Sequence, residues 1–161
     1  MVLRGRPSAA VFPDFAAMVA RAPHLRYAGP YQAEDLPAHY ADVHFSWCID
    51  YYEEGHNSAW LLPNRLYESA AHLAVPIALA EVETGRFLRA HALGLVVERS
   101  NLDSLVALFA AMTDARHGQL RRALAEAPPD LWRSGPEDCR ALVAAILGTA
   151  PPDSPWPEAQ P

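Results

Sequence analysis

Short apolar runs alternate with longer amphipathic stretches along the chain, and this alternation limits the fold more than any other feature. The apolar runs fall at residues 1–4, 25–28, 43–48, 75–79 and 94–97. Each is short enough for a strand, and a turn or helix signal follows each one. The amphipathic stretches fall at 13–21, 36–41, 63–73, 85–92 and 102–112, with two more at 115–126 and 137–147. Strands that alternate with helices imply βαβ units and a parallel sheet. The expected fold class is therefore α/β: a Rossmann-like three-layer α/β/α domain with a parallel sheet of about five strands. The domain is expected over residues 1–148, with a proline-rich tail over 149–161 (TAPPDSPWPEAQP). Ser100-Asn101-Leu102-Asp103 reads as a capping box. Gly148 reads as the end of the last helix. A first strand at Met1 suggests a chain cut from something longer or a short gene product.

Composition excludes several classes. With 161 residues, 51% of them hydrophobic and 20% charged, the chain can bury a core and is not a disordered polymer. A net charge of −6 argues against a nucleic-acid partner, which calls for a basic face. All 13 basic residues are arginine, which fits a coding bias as well as selection for phosphate contacts. Cys48 and Cys139 are far apart, and Cys48 lies in an apolar run, which suggests a buried thiol in a reducing, cytoplasmic setting. The seven histidines do not form a metal-ligand spacing, so no metal is expected. There is no GxSxG elbow, Walker loop or dinucleotide fingerprint. Trp47 and Trp60 are expected to pack rather than to stack on a ligand.

In an open α/β sheet, ligands bind beyond the carboxyl ends of the strands. Four connections lie there. They carry Arg4-Gly5-Arg6, Gly29-Pro30-Tyr31, the stretch from Asp50 to Ser58, and Glu81 to Gly85. In the third, a polar loop leads to Pro63, which suits the first position of a helix. Free N–H groups at the start of that helix favour an anion, and Arg65 lies in its first turn. Glu68 lies a turn further on, where a carboxylate can accept from two vicinal hydroxyls. An exposed Arg65–Glu68 helical pair fits the same spacing. In the fourth, Thr84 is placed to cap a helix or to face the cleft.

From LRGRP through DLPAHYADVHFSW and NSAWLLPNRLYES to VPIALAEVETGRFLRAHALGLVV, the chain resembles the C-terminal, donor-binding domain of a GT-B glycosyltransferase of the bacterial group 1 class. The resemblance covers about the first 110 residues, and PNRLYE followed by VPIAL is its most specific part. It implies one half of a GT-B fold and a nucleotide-diphosphate sugar as ligand, with no cofactor. On this reading Glu68 matches the second acid of a paired-glutamate motif and holds the ribose, while Arg6 meets the diphosphate. Gly29 and Tyr31 lie where the base is recognised, and Glu83, Thr84 and Gly85 lie near the donor sugar and phosphates. Asn57 or Ser58 contacts the sugar in place of the first acid of that motif, and Asn64 and Arg65 belong to the same segment. The sequence departs from the family in three places. Trp60 stands where the first acid of the pair belongs, eight positions before Glu68. The lysine that follows the first-strand arginine has no equivalent, and Leu73-Ala74 stands where a glycine commonly precedes the VP pair. The resemblance leaves the catalytic residues unassigned. It implies that an N-terminal acceptor-binding domain, or a separate chain, completes the enzyme, and that any peripheral membrane association comes through that half. The alternative is a non-catalytic nucleotide-sugar-binding or interaction module from a split or degenerate glycosyltransferase.

Overall fold

A computed structural model describes residues 1–52 and 54–149. The chain forms two compact units, residues 1–42 and residues from 43 onward. The proline-rich tail beyond Thr149 lies outside the described residues.

The first unit pairs β1 (Val2–Leu3) with β2 (Arg26–Tyr27) in parallel, with Val2 opposite Arg26 and Leu3 opposite Tyr27. Between them runs α1 (Phe15–Ala20), started by Asp14, whose carboxylate accepts from the Ala17 N–H at 3.0 Å. After β2 a 3-10 turn over Ala33–Asp35 leads into α2 (Leu36–Tyr40). The Asp35 carboxylate accepts from the Gln32 N–H at 3.1 Å. No side chain of this unit is buried. Its contacts are peripheral: Phe15 meets Phe12 and Tyr27 edge-on, and the Tyr27 hydroxyl donates to the Gly5 carbonyl at 2.7 Å.

The second unit holds the core. Its sheet has the order β3-β4-β5 and is parallel throughout: β3 (Phe45–Trp47), β4 (Val75–Leu79) and β5 (Leu95–Val97). The central strand VPIAL is buried at every position, as a parallel strand with neighbours on both edges requires. The helices are α3 (Asn57–Trp60), α4 (Asn64–Ala71), α5 (Glu83–Ala90), α6 (Leu102–Ala110), α7 (Asp114–Glu126) and α8 (Pro136–Ile146). Helix α4 packs on β3 and β4, α5 on β4 and β5, and α7 on β4 and α4. Leu66 from α4 and Leu88 from α5 are fully buried and join Val75 and Ile77 in one core.

A proline inside a central strand would normally break a ladder. Here the pairing avoids the break. Val75 and Ile77 bond toward β3, through Val75 N–H to the His44 carbonyl and Cys48 N–H to the Ile77 carbonyl. Pro76 therefore faces β5, whose pairing begins only at Ile77 opposite Leu95. Gly94 completes the arrangement. It has φ +67°, and a Cβ there would come within 2.6 Å of the Pro76 carbonyl oxygen.

All five expected strands exist, at or within the positions that the apolar runs mark. The single five-stranded sheet is not what forms. The ladders divide them into a two-stranded and a three-stranded sheet. Pro63 is the residue before α4 rather than its first helical position, with ψ 145°. Asn101 caps α6 by accepting from the Ser104 N–H at 2.9 Å, one residue later than a box begun at Ser100. Gly148, at φ +65°, terminates α8 as expected, and the N–H groups of Gly148 and Thr149 return to Ala145 and Ala144. Helices α4 and α5 end in the same way without glycine, at Leu73 (φ 62°) and Ala92 (φ 54°). The left-handed residue at Leu73, two positions before Val75-Pro76, is where a glycine would sit without strain.

Candidate functional site

Beyond the carboxyl ends of β3 and β4 the second unit opens into a cleft of about 380 Å3. Its walls come from four places. Cys48, Asp50 and Tyr52 continue from β3; Asn57 and Ser58 come from α3; Leu61, Leu62, Pro63 and Asn64 lead into α4; Leu79, Val82 and Thr84 lead from β4 into α5. The starts of α4 and α5 both reach this cleft, so each presents N–H groups and the positive end of a helix dipole there.

Local sequence explains the shape. Asp50 follows β3 directly, and its Oδ1 accepts from the Tyr52 N–H at 2.9 Å, which turns the chain out of the sheet. The hydroxyls of Tyr51 and Ser100 share a hydrogen bond that ties this loop to the one after β5. Helix α3 is a single turn closed by Leu61 N–H to the Asn57 carbonyl at 2.8 Å, and it lies against α5. Helix α5 can start so close to β4 only because position 85 is glycine. A Cβ there would lie 1.8 Å from the Leu79 carbonyl oxygen.

Of the residues singled out from the sequence, the cleft gathers Asn57, Ser58, Asn64 and Thr84. Thr84 is only 2% exposed. It does not cap α5, because Val82 holds that position. Arg65, Glu68, Glu83 and Gly85 stand on the same helices but do not line the cleft. The ion pair of Arg65 is with Asp50, at 3.1 Å, and its guanidinium also donates to the Ile49 carbonyl at 3.4 Å. Glu83 pairs with Arg86 at 2.7 Å. Gly85 lets α5 start close against the end of β4.

The remaining three belong to the first unit. Arg6 is exposed in the segment after β1. Gly29, at φ +77°, accepts from the Gly5 N–H through its carbonyl at 3.0 Å. The Tyr31 ring stands edge-on to His39, with centroids 6.0 Å apart.

Sequence reasoning assigned no role to Asp50, Tyr52 or Cys48. For Asp50 and Tyr52 the signal was present, since both lie in the loop at a strand's carboxyl end. Cys48 is buried, as its apolar run suggested, and burial pushes its thiol pKa up against the smaller opposing effect of the Ser46 hydroxyl. Trp47 packs against the core as expected, but Trp60 stands outside it and is 60% exposed. It ends a one-turn helix whose residues are all unburied. Among the described residues no group of three His, Cys, Asp or Glu side chains could hold a metal, and no helix is long and apolar enough to cross a membrane.

The second unit is thus an α/β unit with a cleft of mixed polar and apolar lining at the carboxyl ends of a parallel sheet, the place where such folds take small ligands. The chain is 43% identical over 147 residues to the succinoglycan biosynthesis protein ExoL of Rhizobium meliloti (strain 1021). That stretch is 91% of this chain and 36% of ExoL, so the chain spans about a third of the length of the curated relative it matches. No protein-family model matches the chain. No solved structure matches it either.

Proposed function

We propose that the chain is the donor-binding part of a glycosyltransferase that moves a sugar from a nucleotide-diphosphate sugar to an acceptor in polysaccharide synthesis. One observation carries the reading. Asn57, Ser58, Asn64 and Thr84, chosen from two separate segments of the sequence, line one cleft where two helices begin. The similarity to a succinoglycan biosynthesis protein supports the polysaccharide context.

In this reading the N–H groups at the starts of α4 and α5 receive the diphosphate. Arg65 adds positive charge in the first turn of α4. Glu68 accepts from the ribose hydroxyls. Glu83, Thr84 and Gly85 belong to the helix start beside the sugar and phosphates. The acceptor is bound by a further domain or chain, whose closure excludes water from the donor. Calorimetric titration of the chain with UDP, GDP and their sugars tests the reading. A folded chain that binds none of them refutes it. Glu68→Ala is expected to weaken binding by about 1–3 kcal/mol, the range for hydrogen bonds to a charged group.

A second reading has its own observation. Trp60, at the position of an expected acid, is exposed beside Leu61, as an interaction surface would be. In that case the chain binds the nucleotide sugar or its partner half but transfers nothing even when the acceptor-binding half is added. Sugar transfer by the recombined halves decides between the two.

A further inference from the structure

We infer that the cleft of the second unit takes the uncharged, hydroxyl-bearing part of its ligand, and that the Asp50 carboxylate is the group that selects it. This rests on the nucleotide-sugar reading above and narrows it.

The charge inventory of the cleft carries the inference. Asp50 is the charged side chain among the described lining residues; no arginine, lysine or histidine stands with it. The other polar residues of the lining are Tyr52, Asn57, Asn64, Ser58 and Thr84. Arg65, the nearby cation, is turned to Asp50 and to the Ile49 carbonyl instead of the lining. A phosphate seated deep in these walls would face a carboxylate without a cationic side chain opposite it. A sugar or ribose ring would find acceptors for its O–H groups, donors for its ring and hydroxyl oxygens, and apolar surface at Leu61, Leu62 and Val82 for its C–H faces.

Asp50 is also held ready for this. Oδ1 accepts from the Tyr52 N–H at 2.9 Å, and Oδ2 faces Arg65 at 3.1 Å. These two contacts fix the plane of the carboxylate while using about half of its four lone-pair sites. The rest can accept from a vicinal diol, with the added strength of charge-assisted hydrogen bonds. The diphosphate then lies toward the helix starts, where backbone N–H groups meet it.

The test is calorimetric titration of the full chain with UDP-glucose, GDP-mannose, UDP, GDP and the 2′-deoxy forms of the two diphosphates. It compares wild type with Asp50→Asn, Arg65→Met and the double variant. Asparagine keeps the acceptor for the Tyr52 N–H and removes the charge. Asp50→Asn is expected to weaken binding about 10-fold or more, both in the wild type and on the Arg65→Met background. A loss that is also seen with the ribonucleoside diphosphates and vanishes with their 2′-deoxy forms assigns the diol to ribose. A loss confined to the sugar nucleotides assigns it to the sugar. Either supports the inference. Unchanged affinity in Asp50→Asn overturns it, and so does a loss that disappears on the Arg65→Met background, because Asp50 would then act only through Arg65. Urea midpoints of the four proteins show whether each remains folded. A wild type that binds none of the probes overturns this inference together with the reading on which it rests; binding that is indifferent to Asp50 overturns the inference alone.

Discussion

Two glycine-to-alanine substitutions, both inside helices, have opposite expected effects on stability. Gly118 lies in the interior of α7, and the nearest atom to a Cβ there is the Arg122 Nη1, 3.7 Å away at the end of a flexible side chain. Nothing has to move. Alanine lowers the conformational entropy of the unfolded chain and suits a helix better, so Gly118→Ala should stabilise by about 0.5–1 kcal/mol. Gly85 lies in the first turn of α5, and its Cβ would stand 1.8 Å from the Leu79 oxygen, 2.8 Å from the Leu79 carbonyl carbon and 3.1 Å from the Ala80 Cα. All three are backbone atoms of a buried segment, so no rotamer can relieve the clash. The helix start must retreat by roughly 1 Å, at a cost of about 1–3 kcal/mol or more for overpacking a dense core. That exceeds any gain in helix propensity. With a urea m-value of about 2 kcal/mol per molar, Gly85→Ala should lower the unfolding midpoint by ~1 M, and Gly118→Ala should raise it by a few tenths. Because Val82 and Thr84 move with the helix start, Gly85→Ala should also weaken ligand binding. A Gly85→Ala protein as stable as wild type would refute the close seating of α5 on β4, and with it the position of that cleft wall.

Three further predictions rest on conformation and burial. Ala92 ends α5 in the left-handed region at φ 54°, so Ala92→Gly should stabilise by about 0.5–1 kcal/mol, against the usual penalty for glycine near a helix; a lower urea midpoint would contradict this. In the native chain iodoacetamide should modify the exposed Cys139 and spare the buried Cys48 until unfolding; peptide mapping that finds both labelled at equal rates would contradict the burial. The pH dependence has a fixed sign. Burial raises the folded Cys48 thiol pKa above its ordinary value of 9.0, so its contribution to stability is full below 9.0 and declines as pH rises past that value toward the raised one. Cys48→Ala should flatten that alkaline decline, and an unchanged slope would count against the assignment.

The elements were legible where sequence alone fixes them. VPIAL is an unbroken apolar run and became the buried central strand, and the long helices follow their apolar periodicity. What failed depended on neighbours that the sequence does not place. Four residues, NSAW, are too few to show a helical period, so α3 read as loop. Arg65 offered Glu68 as a partner by spacing, yet its ion pair is with Asp50, fifteen positions back, because the end of β3 and the first turn of α4 meet in space. Asp50 was one of several acids in a polar loop until that meeting gave it an orientation. Trp60 was expected to pack because tryptophan usually does, but it ends a one-turn helix in which no residue is buried and is 60% exposed. The division of five strands into two sheets was likewise invisible, since apolar runs mark strands and not their pairing.

The central claim is that the cleft beyond β3 and β4 binds a nucleotide-diphosphate sugar. Amide resonances of the 15N-labelled full chain, followed during titration with UDP-glucose and then GDP-mannose, test it most directly. The account predicts saturable shifts centred on Asp50, Asn57, Ser58, Asn64 and Thr84 with at least one of the two. A folded chain whose resonances do not move with either, or whose shifts gather on α8 and leave those five residues unmoved, would contradict it.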